Sequence, residues 1–161
     1  MGRTMLVILT LFLCALDDPQ WIEFSPKDGS FTARYPQQPT ERASRTGTVW
    51  QHSAKDRVYN VARSAAPGGN NPTAAEVTAA LDAVRDNIVK RVEAKVLKEK
   101  TLQHRNSAAR EFVFELPEGK GLLRLRCFVF KGNVWEIKVG GPKDYVTGTE
   151  ADAFLDGLKV K

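Results

Sequence analysis

Apolar and polar residues alternate along most of the chain, which is the period-two pattern of half-buried β-strands. This alternation predicts eight strands, in the ranges 21–24, 30–35, 45–52, 57–65, 92–98, 108–116, 122–131 and 134–139. A Pro26–Gly29 turn joins the first two strands and a Ser53–Asp56 turn joins the next two, so both pairs are expected to form hairpins. Short linkers join the last four strands, which should therefore pair antiparallel with their neighbours.

A helical period replaces this alternation in two places. In the first, Thr73 and Glu76 have the spacing of a capping box, and the apolar residues that follow lie three or four positions apart. These apolar residues are Val77, Leu81, Val84 and Ile88. The second helix is predicted over 149–158, with Thr149 and Asp152 in cap-like positions. Its core-facing residues are Ala151, Phe154, Leu155 and Leu158.

The two kinds of element together predict an α+β fold. We expect an antiparallel β-sheet of about six to eight strands, flanked by two main helices in a layered α/β/α sandwich. The chain has 161 residues, which is the size of one domain. The apolar fraction of 42% and the charged fraction of 27% are those of an ordinary folded domain, and no low-complexity segment indicates disorder.

The N-terminal residues form a segment of different character. Arg3 precedes an apolar run over 5–16 that is too short for a bilayer span, which needs about 20 residues. A cationic start, a short apolar core and a small residue before a polar stretch are typical of a secretory signal. We therefore expect a signal peptide over 1–15, cleaved after Ala15, and a single exported domain over 16–161 without a transmembrane span.

The two cysteines lead to different expectations. Leu11–Cys14 partly resembles a bacterial lipoprotein cleavage box, so a lipoprotein anchored at Cys14 is one alternative to a free signal, and a buried N-terminal strand is another. Cleavage after Ala15 would leave Cys127 as the only cysteine, and an internal disulfide would then be impossible. Cys127 lies in a strand-like run, so we expect a small buried apolar residue and not a reactive thiol.

Charge narrows the range of partners. The formal net charge is +5, from 24 basic and 19 acidic residues, which favours solubility and a weak attraction to anionic surfaces. No basic run is interleaved with aromatic residues in the way that a nucleic-acid-binding strip requires, so nucleic acid is not an expected partner.

Arg124, Arg126 and Lys138 are the candidate binding residues. The two arginines point to the same side of one predicted strand, and Lys138 or Glu136 of the next strand could lie beside them in a charged strip. Two interpretations are open. The arginines could pair with carboxylates such as Glu111, or the strip could bind an anion or an acidic partner.

Catalytic chemistry is not indicated. His52 and His104 are far apart, and neither has His, Cys or acidic neighbours at metal-ligand spacing, so neither a metal nor a cofactor is predicted. His52, Ser53 and Asp56 are close in sequence, but they span a predicted hairpin turn and no nucleophile-elbow motif accompanies them. The sequence therefore predicts a protein that is not an enzyme.

Two motifs stand at the ends of the predicted domain. The first reads Trp21-x-x-Phe24-Ser25-Pro26-x-Asp28-Gly29-x-Phe31 followed by Tyr35-Pro36-x-x-Pro39, and the second reads Phe154-Leu155-Asp156-x-Leu158-Lys159. Together they resemble the ends of PsbP-like exported bacterial domains, whose fold is similar to the extrinsic PsbP subunit of photosystem II and to a yeast Ran-binding nuclear import factor. The resemblance implies an antiparallel sheet flanked by helices. It transfers no functional residue, because Trp21, Phe31 and Phe154 read as core and Gly29 as turn.

Two classes of function follow from these observations. The first is an exported, non-enzymatic binding or scaffold module, the role that the resemblance implies, with another protein or an anionic envelope component as its partner. The alternative is a small-ligand-binding protein or an unrecognised enzyme that uses a pocket between the sheet and the helices. The sequence leaves the partner, the ligand and the oligomeric state open.

Overall fold

The computed structural model describes residues 21–104 and 106–161, so the signal peptide expected over 1–15 and the alternative anchor at Cys14 lie outside the described residues. The strands are β1 (Ile22–Phe24), β2 (Phe31–Tyr35), β3 (Thr40–Ala43), β4 (Gly47–Ala54), β5 (Arg57–Ala65), β6 (Lys95–His104), β7 (Ser107–Glu115), β8 (Leu122–Phe130), β9 (Asn133–Gly141) and β10 (Lys159–Val160). The helices are α1 (Ala74–Val92), α2 (Lys143–Val146) and α3 (Thr149–Asp156). In these ranges no helix combines the length and the apolar character that crossing a membrane requires.

Seven of the strands form one antiparallel sheet in the order β3-β4-β5-β9-β8-β7-β6. The other three form a small sheet in which β2 pairs with both β1 and β10. Helix α1 lies on one face of the large sheet, and α2, α3 and the small sheet lie on the other. The predicted α+β fold, with an antiparallel sheet between two main helices, is confirmed.

Helix α1 begins at the predicted capping box. The Thr73 hydroxyl accepts a hydrogen bond from the Glu76 amide at 3.2 Å, and the Glu76 carboxylate accepts one from the Thr73 amide at 2.7 Å. The helix ends where Glu93 takes a left-handed conformation with φ 53°. Three of the four predicted apolar residues, Leu81, Val84 and Ile88, are buried, and Val77 is partly buried against the same core.

The core beneath α1 comes from alternate residues of three strands. Phe112 and Phe114 of β7 pack with the α1-facing residues of β8, and Val134 of β9 completes this cluster. The β8 residues are Leu125, Cys127 and Val129. Cys127 is fully buried, as the sequence predicts, and burial together with the nearby Glu136 carboxylate raises the pKa of its thiol to about 12.

The opposite face carries an aromatic core. Phe31 of the small sheet meets Trp50 and Trp135 of the large sheet edge to face, with ring centroids 4.8 Å and 5.7 Å apart. Phe154 of α3 packs against Tyr35 in the same way at 5.3 Å. The expected core positions Phe31 and Phe154 are both fully buried, and Trp21 is partly buried against them.

The first hairpin forms as predicted around Gly29. Its φ of +64° is one that L residues rarely adopt, and its amide donates to the Pro26 carbonyl at 2.9 Å. The second hairpin also forms, although β4 covers 47–54 where the alternation predicted 45–52.

The two edges of the large sheet differ from the prediction. The strand predicted over 92–98 is the end of α1 followed by β6, which continues to His104. The strand Thr40–Ala43 was not predicted at all. Both β3 and β6 are edge strands whose side chains are mostly exposed, so polar residues occupy both of their faces and no alternation marks them.

The chain's last elements also differ from the prediction. Helix α2 and the two-residue β10 were not predicted, because each spans only about one period of its pattern and nothing repeats within it. Thr149 does not cap α3: the N-cap position belongs to Gly148, and no side chain bonds to the free amides there. The four apolar residues of the predicted stripe are all buried, although α3 ends at Asp156 and Leu158 lies just beyond it.

We expect Cys127 to be inert in the folded protein, because the side chain is fully buried and because only the thiolate attacks thiol reagents, whereas the pKa of the Cys127 thiol lies far above neutral pH. A Cys14→Ser variant leaves Cys127 as the only thiol. Its reaction with an aromatic disulfide reagent should be negligible in buffer and rapid in guanidinium. Fast stoichiometric labelling of the native variant would show that Cys127 is accessible.

Candidate binding groove

The three cations that the sequence singled out do not lie on one face of the sheet. In the β8–β9 pairing Arg126 is opposite Ile137, whereas Lys138 is opposite Leu125. Residues opposite each other in antiparallel strands share a face, and neighbours along a strand alternate between faces. Arg124 and Arg126 therefore face α3, and Lys138 faces the α1 side. The charged strip that the sequence suggested across both strands is not formed.

Glu111 of β7 is the centre of a buried network of ion pairs. Its side chain is only 4% exposed. Its Oε1 accepts hydrogen bonds from Arg124 Nε and Lys100 Nζ, each at 3.0 Å, and its Oε2 accepts one from Arg126 at 2.9 Å. Burial alone would raise the pKa of Glu111, but the hydrogen bonds from these cations hold it below its ordinary value. The carboxylate therefore stays ionised at neutral pH.

The same two arginines reach helix α3. Arg124 donates to the Asp152 carboxylate at 2.7 Å, and Arg126 donates to the Asp156 carboxylate at 2.6 Å and to the Leu155 carbonyl at 3.2 Å. Ion pairing with Glu111, one of the two interpretations open from the sequence, is thus present, and both guanidinium groups have protein partners. These bonds hold α3 against β8.

Helix α1 covers only part of its face of the sheet. It packs against β8 and β7, and the α1-facing residues of β9, β5 and β4 line a groove beside it. The Ser44–Thr46 turn between β3 and β4 forms the opposite wall. Two adjoining cavities of about 350 and 330 Å³ make up the groove. They share Thr46, Ser64, Asn87 and Glu136, so the groove is elongated.

The floor of the groove combines apolar residues of the sheet with one ion pair. Val49, Ala62 and Val134 line it. Lys138 donates to Glu136 at 2.7 Å, and the two side chains are only 12% and 18% exposed. Asn60 of β5 is opposite Lys138 and so lies on the same face, but it is buried and is not among the residues that line the two cavities. Asn60 is 8% exposed, its amide nitrogen donates to Gln51 at 3.4 Å, and its amide oxygen has no hydrogen-bond partner in the described structure. An unpaired buried polar atom of this kind destabilises a fold by about 1–3 kcal/mol.

The rim of the groove carries unpaired positive charge. Arg45 of the β3–β4 turn and Arg91 of the last turn of α1 are exposed. Neither forms an ion pair with the residues that the structure describes. Arg63 also borders the groove, but its guanidinium lies on the other face between Trp50 and Trp135 and pairs with Asp28. Arg45 and Arg91 are therefore the unpaired cations at the rim, and Lys138 lines the groove in its pair with Glu136.

The charged and hydrogen-bonding side chains of the groove suit recognition of a polar partner.

The residues considered for hydrolysis do not converge, because His52 and Ser53 are neighbours on β4 and point to opposite faces. His52 stacks on Tyr59, and Ser53 accepts a hydrogen bond from Gln51. Within the described chain no group of three His, Cys, Asp or Glu residues is placed to hold a metal ion.

Sequence reasoning missed the groove, although it identified Lys138. One signal was available on α1, where the small residues Ala79, Ala80 and Ala83 lie beside the apolar stripe and leave room next to the sheet.

We expect the Glu111→Gln substitution to destabilise the fold by about 3 kcal/mol, because it leaves the buried arginines without their anion. Because the pKa of Glu111 is lowered by folding, its contribution is present above the ordinary carboxyl pKa and is lost as pH falls through the lowered value. Denaturant unfolding across the acid range should therefore show a weaker pH dependence in the variant.

Glu115→Gln on the same strand is the matched control, since Glu115 is exposed. It should change the free energy of unfolding by no more than about 0.5 kcal/mol. Equal effects of the two substitutions would show that the network around Glu111 does not stabilise the fold.

No protein-family model and no curated protein matches the chain. Among solved structures, the chain is similar to the cyanobacterial PsbP protein CyanoP of Synechocystis, with a TM-score of 0.66 and 9% identity over 91% of this chain and 96% of that chain. The Ran-binding protein Mog1p of Saccharomyces cerevisiae matches with a TM-score of 0.49 and 11% identity, over 87% of this chain and 95% of that one. A Pseudomonas aeruginosa protein of unknown function matches with a TM-score of 0.47 and 13% identity, over 82% and 90% of the two chains. The likeness to CyanoP shows that the chain has a PsbP-like fold, as the motifs at its two ends predicted.

Proposed function

We propose that the chain is an exported, non-enzymatic binding or scaffold module that engages a partner through the groove beside α1. The two rim arginines are the observation that carries this proposal. Arg45 and Arg91 border the groove, are exposed, and form no ion pair with the residues that the structure describes. Unpaired positive charge beside a concave surface favours binding of a partner of opposite charge.

The shape of the groove favours a chain-like partner over a compact ligand. Small-molecule sites bury most of their ligand's surface in an enclosed pocket. Here the rim residues Arg45, Asn87 and Arg91 are exposed, and the two adjoining cavities extend along the helix. A ligand in this groove keeps one side in solvent, as a segment of a larger partner does.

A small-ligand-binding protein is the second candidate. The observation in its favour is position, because the groove lies between the sheet and a helix and each cavity has the volume of a small-ligand site. Under this alternative the ligand is a polar small molecule that contacts Asn87 and Lys138.

Site-specific photocrosslinking tests the groove. A photoreactive phenylalanine analogue at Asn87, which lines both cavities, should form discrete protein adducts in cells of the source organism, with the partner identified by mass spectrometry. Thr78 is the matched control, since it is exposed on the same helix and outside the groove. Adducts from both positions alike, or from neither, would contradict binding of a protein in the groove.

Export has its own test, which is intact mass spectrometry after fractionation of bacteria that express the full sequence. We expect a soluble extracytoplasmic species that begins near Leu16, because the N-terminal pattern is that of a cleaved signal. A lipid-modified species that begins at Cys14 would instead make the protein a tethered lipoprotein. An uncleaved chain in the cytoplasm would contradict export.

A further inference from the structure

The charges of the groove are unbalanced. Arg45, Arg91 and Lys138 line it on three different elements, and Glu136 is its one acidic residue among those that the structure describes. Glu136 is already paired with Lys138, while the two arginines of the rim are unpaired. Because no acidic residue of the groove pairs with Arg45 or Arg91, the rim attracts negatively charged ligands.

The neutral polar groups of the groove match a peptide backbone. Asn87, which lines both cavities, has a side-chain amide that donates and accepts hydrogen bonds as a peptide group does. Thr46 and Ser64 also line both cavities, and their hydroxyls can donate and accept as well.

The lining residues also argue against other anionic polymers. None of the described residues that line the two cavities is aromatic. Nucleic-acid bases bind to flat aromatic side chains by stacking, and this groove offers none. Its helical wall is instead formed by Ala79, Ala80 and Ala83, which leave space for the aliphatic stems of acidic side chains.

We infer that the groove binds an extended acidic peptide segment of a partner protein. This inference rests on the proposed function of the groove as a binding site. The carboxylates of the segment pair with Arg45 at one rim and Arg91 at the other, and its backbone contacts Asn87, which lines both cavities. Lys138 adds positive charge below the segment but keeps its pairing with Glu136.

Fluorescence anisotropy with a labelled peptide of alternating Glu and Ser residues tests the inference, with the same peptide carrying Gln for Glu as the reference probe. The mature protein should bind the Glu peptide more tightly, and added salt should weaken that binding. Arg45→Glu and Arg91→Glu should each reduce the affinity about three- to tenfold, because each replaces an exposed ion pair by a repulsion.

Lys27→Glu is the charge-matched control. Lys27 is exposed in the turn between β1 and β2, on the opposite side of the large sheet. Its substitution by Glu changes the net charge of the protein by the same amount as Arg91→Glu. It should leave the affinity unchanged. A loss equal to that of Arg91→Glu would show that the peptide responds to overall charge and would overturn the groove as its site.

Asn87→Leu separates a binding role from a structural one. Asn87 is exposed, so the melting temperature should not fall, while the affinity for the Glu peptide should. Unchanged affinity in a folded variant would overturn the contact at Asn87 and with it the proposed course of the peptide.

Two further results would overturn the inference. One is equal affinity for the Glu and Gln peptides. The other is binding of phosphatidylglycerol vesicles that Arg91→Glu abolishes, while the peptides do not bind, because the groove would then recognise a membrane surface. In either case crosslinking at Asn87 still decides the proposed function, since that experiment assumes no ligand chemistry.

Discussion

The central strands of the large sheet carry large apolar side chains on both faces, so both faces must be covered for the fold to be stable. On one face, Val61 and Ile137 are fully buried beneath the small sheet and α3. On the other, Leu125 and Cys127 are fully buried beneath α1. The positions of the helices and of the small sheet all follow from this two-sided requirement, because each supplies the cover that one face needs.

The two covers differ in extent and in chemistry. On the α3 side the cover is continuous enough to bury Glu111, and a buried carboxylate is tolerated only because cations satisfy its oxygens. On the α1 side a single helix packs against β8 and β7 and leaves β9, β5 and β4 only partly covered. The groove, with Glu136 and Lys138 on its floor, is the consequence of covering a seven-stranded sheet with one helix.

The two polar clusters illustrate how charge alone misleads. Arg126 is a cation in a sheet, yet its guanidinium is ion-paired with Glu111 and Asp156, so it stabilises the fold. Nothing in the sequence around Arg91 distinguishes it from other surface arginines. In the structure it lies at the rim of the groove and forms no ion pair with the described residues. Burial and pairing, and not residue type, separate the residue that stabilises the fold from the one that can bind.

Elements that depend on residues close together in the chain were determined by the sequence itself. The capping box at Thr73, the turn at Gly29 and the apolar stripe of α3 rest on contacts within a few positions, so their patterns are legible without the fold. The register of β8 on β9, the edge strands and the groove were decided only by the tertiary structure. Register joins residues through pairing and packing of distant segments, and a shift of one residue would bring Lys138 to the face of Arg126.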